Sequence, residues 1–351
     1  MTADARWSCP IPGTYEHVVL GHGSGGRLTQ QLLERVFLPA LAGPTLARLE
    51  DQATLTLPGG ARIAFTTDAF VVSPLFFPGG DLGKLAIHGT INDLAVGGAT
   101  PRWIAASFVL EEGLPLAILE RIVRSMRAAC DEAGVELVAG DTKVVEKGKG
   151  DGLFVTTSGI GLVPPHLDLS VRNAKPGDRV LVSGTLGDHG IAVLSVREGL
   201  ELGLETSLES DTAPLADLCR ALLEVCPRLR WMRDPTRGGV ASALTELAAG
   251  SRVGVRLDEA RLPIRDEVRG ACELLGLDPL YVANEGKVIA VVPPEEADAV
   301  LSAMRAHPRG RDAAEIGEIT EDARALVVMR SLIGGERLVE MLSGEQLPRI
   351  C

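Results

Sequence analysis

Ala53-Thr54-Leu55-Thr56-Leu57-Pro58-Gly59-Gly60-Ala61-Arg62-Ile63-Ala64-Phe65-Thr66-Thr67 reads as two β-type runs around a Pro-Gly-Gly turn, which makes it an antiparallel hairpin. That reading decides what the glycines upstream can be. Val18-Val19-Leu20 has the composition of a short strand. Gly21-His22-Gly23-Ser24-Gly25-Gly26 follows it, ahead of a helix marked by Leu28, Leu32, Leu33, Val36 and Phe37. Gly21, Gly23 and Gly26 have the formal spacing of a dinucleotide fingerprint, but that fingerprint needs parallel strands in a βαβ unit. A hairpin after the helix argues against it. No Gly-Lys-Ser/Thr follows either, so the run is not a Walker A loop. Two readings stay open: backbone amides brought close to phosphate at a helix N-terminus, or a flexible turn with no ligand.

Working outward, the pattern alternates. A helix is expected near 82–96, a strand at 103–110, and a helix at 116–133 with Leu119, Ile122, Val123, Met126 and Cys130 on one face. Short strands at 135–138 and 153–162 complete the first half. The proline-rich, polar stretch from Val163-Pro164-Pro165 to Asp178 marks a boundary. Beyond it come a strand at 179–182, helices around 189–197, 214–225 and 238–249, a strand at 287–292, a helix at 295–305, and strands at 315–319 and 325–330. The expected organisation is α+β in two domains: a lead-in at 1–16, domains at 17–165 and 178–335, and a mobile tail at 336–351. Fully extended, that tail would reach about 50 Å.

Composition narrows the functions. The 351 residues are 46% hydrophobic but only 3% aromatic, so the cores must be built from Leu, Val, Ile and Ala. A net charge of −12 argues against nucleic acid as the main partner. No apolar run reaches the roughly 20 residues of a membrane span, and no signal-peptide pattern opens the chain. A cytoplasmic protein is expected. Cys9, Cys130, Cys219, Cys226 and Cys272 show neither CxxC nor zinc-type spacing and read as core packing. Cys351 differs. It stands on a terminal arm, where the neighbouring carboxylate should hold its thiol above the usual ~8.5, partly offset by Arg349. A thiol so placed is a poor nucleophile but a usable carrier; the bland alternative is a frayed end.

The carboxylates carry more chemistry. Asp68 closes Ala64-Phe65-Thr66-Thr67, Asp141 closes Val135-Glu136-Leu137-Val138-Ala139-Gly140, and Asp234 lies between Arg230-Trp231-Met232-Arg233 and Pro235-Thr236-Arg237-Gly238-Gly239. Asp51 precedes a strand, and Asn92-Asp93 sits in an apolar helix. Each alone suits a cap or turn. Five acids in apolar surroundings need compensation, and all-oxygen donors beside a glycine loop suit Mg²⁺ with a nucleotide. Lys143 puts an ammonium next to Asp141. Glu285, before a buried-looking strand, is placed to act as an acid or base if its pKa is raised. For both, a surface ion pair is the alternative. Arg237, heading a helix, suits either a phosphate clamp or an exposed salt bridge. Lys84, His88 and Asn92 share one helix face, which would turn His88 toward the cleft.

Together, His22-Gly23-Ser24-Gly25-Gly26, Thr66-Thr67-Asp68, Asn92-Asp93, Gly140-Asp141-Thr142-Lys143, Asp234-Pro235-Thr236-Arg237-Gly238-Gly239, Asn284-Glu285-Gly286-Lys287 and the closing Pro348-Arg349-Ile350-Cys351 resemble the HypE family. These are carbamoyl dehydratases of nickel-iron hydrogenase maturation, in the superfamily of aminoimidazole ribonucleotide synthetase and selenophosphate synthetase. Ala69 departs from the Ser expected there. The internal motifs are superfamily-wide; the final four residues single out the family. The resemblance implies an ATP- and Mg²⁺-dependent dehydration of a carbamoyl group on Cys351 to a thiocyanate. It implies catalytic roles for Cys351, Lys143 and Glu285. Nucleotide would be bound by His22, Gly23, Ser24, Gly25, Gly26, Asn92, Thr142 and Arg237, and metal by Asp51, Asp68, Asp93, Asp141 and Asp234. It further implies a homodimer with paired N-terminal sheets and ATP near the interface, loading by the HypF carbamoyltransferase, and delivery of cyanide to iron on HypC–HypD. Two rivals remain on sequence: an ATP-dependent synthetase acting on a free small substrate, and a non-enzymatic thiol scaffold.

Overall fold

The computed structural model describes residues 15–41, 43–197, 207–344, 347 and 349–351. Cys9, the first fourteen residues of the lead-in, and Pro348 therefore lie outside the described residues.

The expected hairpin forms from β1 (Ala53–Thr56) and β2 (Arg62–Phe70), paired antiparallel. It continues into a five-stranded sheet with β3 (Thr100–Glu111), β4 (Glu136–Val145) and β5 (Leu153–Val163), in the order β1-β2-β5-β3-β4. Every pairing is antiparallel except β3 with β4. Along β2 the side chains alternate by the two-residue period of a strand. Ala64, Thr66 and Phe70 are buried, Asp68 is half-buried on the same face, and Phe65 and Thr67 are exposed. β4 is longer than expected, so Asp141 lies in mid-strand. All of β4 except Val145 is exposed.

The helix α1 (Arg27–Leu32) follows the glycine run and continues through a π-type turn, Leu33–Phe37. Val18, Val19 and Leu20 do not form the expected strand: all three are exposed and lead into a 3-10 turn, Leu20–Gly23. The helix α2 (Leu82–Val96) starts at Asp81, whose carboxylate accepts from Lys84 N–H at 3.0 Å. It is apolar almost all round, and all of it but Lys84 and Asp93 is buried, as expected for a helix covered on both sides. On one side lie β2, β5 and α3 (Leu116–Ala133); on the other lies α5 (Ala216–Val225) of the second half.

The second half builds a seven-stranded mixed sheet from β6 (Arg179–Val182), β7 (Trp231–Arg233), β8 (Gly254–Asp258), β9 (Ile289–Val292), β10 (Ala314–Thr320), β11 (Val327–Arg330) and β12 (Glu336–Leu338). Their order is β12-β11-β8-β10-β6-β9-β7. Helices α4 (Asp188–Ser195), α6 (Gly239–Ser251), α7 (Asp266–Leu275) and α8 (Ala297–Ala306) flank it. No helix among the described residues is long and apolar enough to cross a membrane.

The tail departs most from expectation. Residues 336–338 are a strand of the second sheet, Val339 is in that core, and Leu342 and Ile350 are buried. The closing segment is seated against residues 71–73: Val71 N–H donates to Cys351 O at 3.0 Å and Ser73 N–H to Arg349 O at 3.1 Å. Its apolar residues Leu347 and Ile350 pack into the core of the first half.

Candidate active site

Asp68 reaches the site from the core face of β2, Asp93 from α2, Asp51 from the lead into β1, and Asp234 from the end of β7. Oxygens of Asp51, Asp93 and Asp234 all lie within 4.8 Å of one another. The Thr66 hydroxyl is 2.8 Å from both the Asp93 carboxylate and the Asp51 carbonyl, which fixes the two elements together. Arg233 is paired with Asp51 at 2.9 Å and with Glu246 at 3.1 Å.

That guanidinium is too little compensation. Burial pushes Asp51 and Asp93 well above the ordinary carboxylate range; Arg233 pulls Asp51 back, while Asp68 and the other acids push Asp93 further. Burial likewise raises Asp68, and it takes Asp234 to about 6 against the pull of Arg233. Crowded oxygen donors that resist ionisation are what a divalent cation would relieve, so the residues present fit Mg²⁺ by their chemistry.

The acids line a cavity of about 700 Å³ that also includes Gly25, Gly26, Arg237, Glu285 and Cys351. Gly25 has φ +72°, and a Cβ there would stand 2.8 Å from the Cβ of Arg237; at Gly26 it would stand 2.3 Å from Leu342 O. These glycines let the loop lie flush against Arg237 and the segment leading to the tail. Arg237 donates to Gly23 O at 3.2 Å and faces Cys351, Asp68 and Glu285. Gly23 and Ser24 line a smaller adjoining pocket that also holds Cys351.

Glu285 is fully buried, and its Oε1 has no hydrogen-bond partner. Burial first, then Asp234 and Asp211, push its carboxyl well above the usual range. Its loop is held by Asn284, whose amide donates to Pro235 O and Val282 O and accepts from Gly187 N–H. Asp211 accepts from Glu285 N–H at 3.0 Å and pairs with Lys287 at 2.9 Å. Cys351, expected to have nothing around it, is half-buried here. Its thiol is pushed up to about 12, first by burial and then, against Arg237, by Glu285, Asp68 and Asp234. Arg349 does not sit beside the thiol; it is paired with Asp151.

Some expected residues stand elsewhere. Asn92 spends its amide on the second half: it donates to Ala213 O and Glu285 O and accepts from Leu215 N–H. It is a fastener between the halves, with nothing left for a nucleotide. His22 accepts from Val19 N–H at 3.0 Å and meets Tyr15 edge-on, outside both cavities. His88 turns away from the acids toward Thr212, and burial takes it down to about 3. Asp141, Thr142 and Lys143 lie on exposed β4. There Lys143 binds Asp141 at 2.7 Å and, with Thr142 N–H, holds its carboxyl below the usual range. Within one chain they do not meet the buried acids.

Sequence reasoning missed Arg233, Asp211 and His189. Arg233 stands beside Asp234 in a quoted run, and a charge inside that apolar segment was the available signal. Asp211 and His189 carry no local signal. Cys130, Cys219, Cys226 and Cys272 are buried free thiols, as expected.

The model of the AIR synthase related protein N-terminal domain matches residues 49–163, and that of the C-terminal domain matches residues 175–329. A relative from Cupriavidus necator, carbamoyl dehydratase HypE, is 56% identical over 332 residues, covering 95% of this chain and 94% of its own. A crystal structure of a HypE–HypF complex superposes with a TM-score of 0.83 at 47% identity, covering 89% of this chain and 99% of that one. One of hydrogenase maturation protein HypE in complex with ATP gives 0.79 at 46% identity, covering 95% and 100%.

Proposed function

The chain belongs to the HypE family of carbamoyl dehydratases, within the AIR synthase related proteins, and from that premise we propose that its substrate is a carbamoyl group carried on the Sγ of its own Cys351. One observation carries this reading: Cys351, Glu285, Arg237 and the acids Asp51, Asp68, Asp93 and Asp234 line a single cavity. A thiol seated among these groups is placed to take part in the reaction, which supports a tethered carrier over a synthetase for free substrates.

In this scheme the carbamoyl oxygen attacks the γ-phosphorus of ATP, releasing ADP, and the C–O bond then breaks with phosphate as the leaving group. Both amide protons depart, leaving a thiocyanate on Cys351. The balance is one thiocarbamate and one ATP to one thiocyanate, ADP and phosphate, the equivalent of removing one water. An amide N–H is a weak acid, so the step needs a strong base within reach. Glu285 suits that role: a desolvated carboxylate with an unpartnered oxygen binds a proton tightly. Asp51, Asp68, Asp93 and Asp234 would hold Mg²⁺, which would neutralise charge on the phosphates. Gly23 to Gly26 and Arg237 would receive the phosphate chain.

Asp141, Thr142 and Lys143 enter from a second copy. The first sheet exposes Leu55, Phe65, Trp103, Val109, Leu137 and Val144, an apolar set that pairing of two sheets would cover. A HypF-type carbamoyltransferase loads Cys351, in keeping with the relative solved in such a complex. The cyano group then passes to iron on a HypC–HypD scaffold, in the cytoplasm.

Intact-mass analysis tests the proposal. The carbamoylated chain should lose the mass of one water from its Cys351 peptide only when ATP and Mg²⁺ are added. Loss without ATP, or at another residue, would contradict it.

A further inference from the structure

Given Cys351 as the carrier, we propose that His189 is a positioning residue for the reaction: its Nε2–H grips the Ile350 carbonyl, fixes the register of the tail and thereby sets Sγ into the cavity. The seated tail is held from two sides, although Arg349 turns through a left-handed backbone (φ +54°) and the segment is not a regular strand. The carbonyls of Arg349 and Cys351 accept from Ser73 and Val71 on one side. The Ile350 carbonyl is met from α4 instead. His189 Nε2 lies 2.8 Å from it.

The hydrogen bonds leave one arrangement. A carbonyl only accepts, so Nε2 bears the proton and Nδ1 must accept. Its partner is the Ser210 hydroxyl at 2.8 Å, and Ser210 Oγ in turn accepts from Thr212 N–H at 3.2 Å. The ring is fully buried and packs edge-on against Phe77, with centroids 5.5 Å apart. Burial lowers its pKa, against the opposing pull of Asp211, so the imidazole stays neutral with a single N–H. The next residue, Gly190, gives the tail room: a Cβ there would stand 2.4 Å from Val282 Cγ1 and 3.3 Å from Leu347 Cδ1. Ile350 is buried in the first core, so a tail displaced by one residue would lose this hydrogen bond and that packing together.

The test compares His189→Leu, His189→Gln and Ser210→Ala in the full chain. The readouts are the rate at which iodoacetamide labels Cys351, followed by mass of the C-terminal peptide, ATP affinity, and the single-turnover rate of water loss from the carbamoylated chain. Leaving a buried carbonyl without a donor should raise labelling about tenfold to a hundredfold in His189→Leu and slow water loss by a similar factor. His189→Gln, which keeps an N–H at that reach, should stay within about threefold of wild type, and Ser210→Ala should fall between. ATP affinity should not change in any of them. Wild-type protection in both His189→Leu and Ser210→Ala overturns the proposal. So does labelling of His189→Gln as fast as His189→Leu, which would reduce the role to filling space. If His189→Leu does not fold, Ser210→Ala decides. If the wild type loses no water, the carrier reading fails, while labelling still reports the seat of the tail.

Discussion

Two sets of acids in this molecule behave in opposite ways. Asp51, Asp68, Asp93 and Asp234 are drawn together by four separate elements, and burial pushes each of them toward the protonated form. Asp141 stands on an open strand, held ionised by its own neighbour Lys143. The first set is a half-site that is complete in one chain and short of positive charge. The second is a charged pair with no cavity. The division proposed above, with one copy contributing the acids and the thiol and another Asp141 and Lys143, would bring the two sets together.

The division predicts unequal mutants. The largest effect belongs to the buried set: Asp93→Asn should cut ATP turnover by about a hundredfold to a thousandfold while leaving the proposed dimer intact, measured by ADP release and sedimentation velocity. Trp103→Asp, on the exposed face of the first sheet, should split the dimer and cost at least about tenfold in turnover. In that monomer, Asp141→Asn should add nothing. An additional loss there would mean that Asp141 serves its own chain.

The thiol sharpens the contrast by pH. Seated among the buried acids its pKa is about 12; undocked, it returns to roughly 8.5. Docking therefore holds the proton more tightly, so it is at full strength below about 8.5 and weakens as pH rises toward 12. At pH 10 the seat should be weaker by about thirtyfold, read as lost protection of Cys351 from alkylation relative to a free Arg-Ile-Cys peptide. The smallest effect concerns metal. With Asp234 near 6 and Asp51 and Asp93 also raised by burial, Mg²⁺ affinity should fall by up to about tenfold per pH unit as pH drops through 6. Asp141→Asn should leave this profile's midpoint in place, which calorimetry can check.

Much of this was legible beforehand because it is local. The hairpin at 53–67, α2 and α3 have a period and a turn that announce them, and Asp68, Asp93 and Asp234 stand out as acids against apolar neighbours. The seat of the tail was not legible because its contacts come from afar: residues 71–73 and α4 receive it, and nothing near Leu347 or Ile350 in sequence says so. Asn92 was misread for the same reason. An amide beside an acid on one helix looks like a ligand until the carbonyls of Ala213 and Glu285 are seen to claim it. The thiol's raised pKa was expected, but its cause was not: burial and the acids of the cavity produce it.

Mixing inactive chains tests the divided centre most directly. Cys351→Ala combined with Asp141→Asn should recover about a quarter of wild-type water loss, because half of the randomly formed dimers then hold one intact site of two. Cys351→Ala combined with Asp93→Asn should recover none, since thiol and buried acids must come from the same copy. Recovery in the second mixture, or silence in the first, would contradict the account.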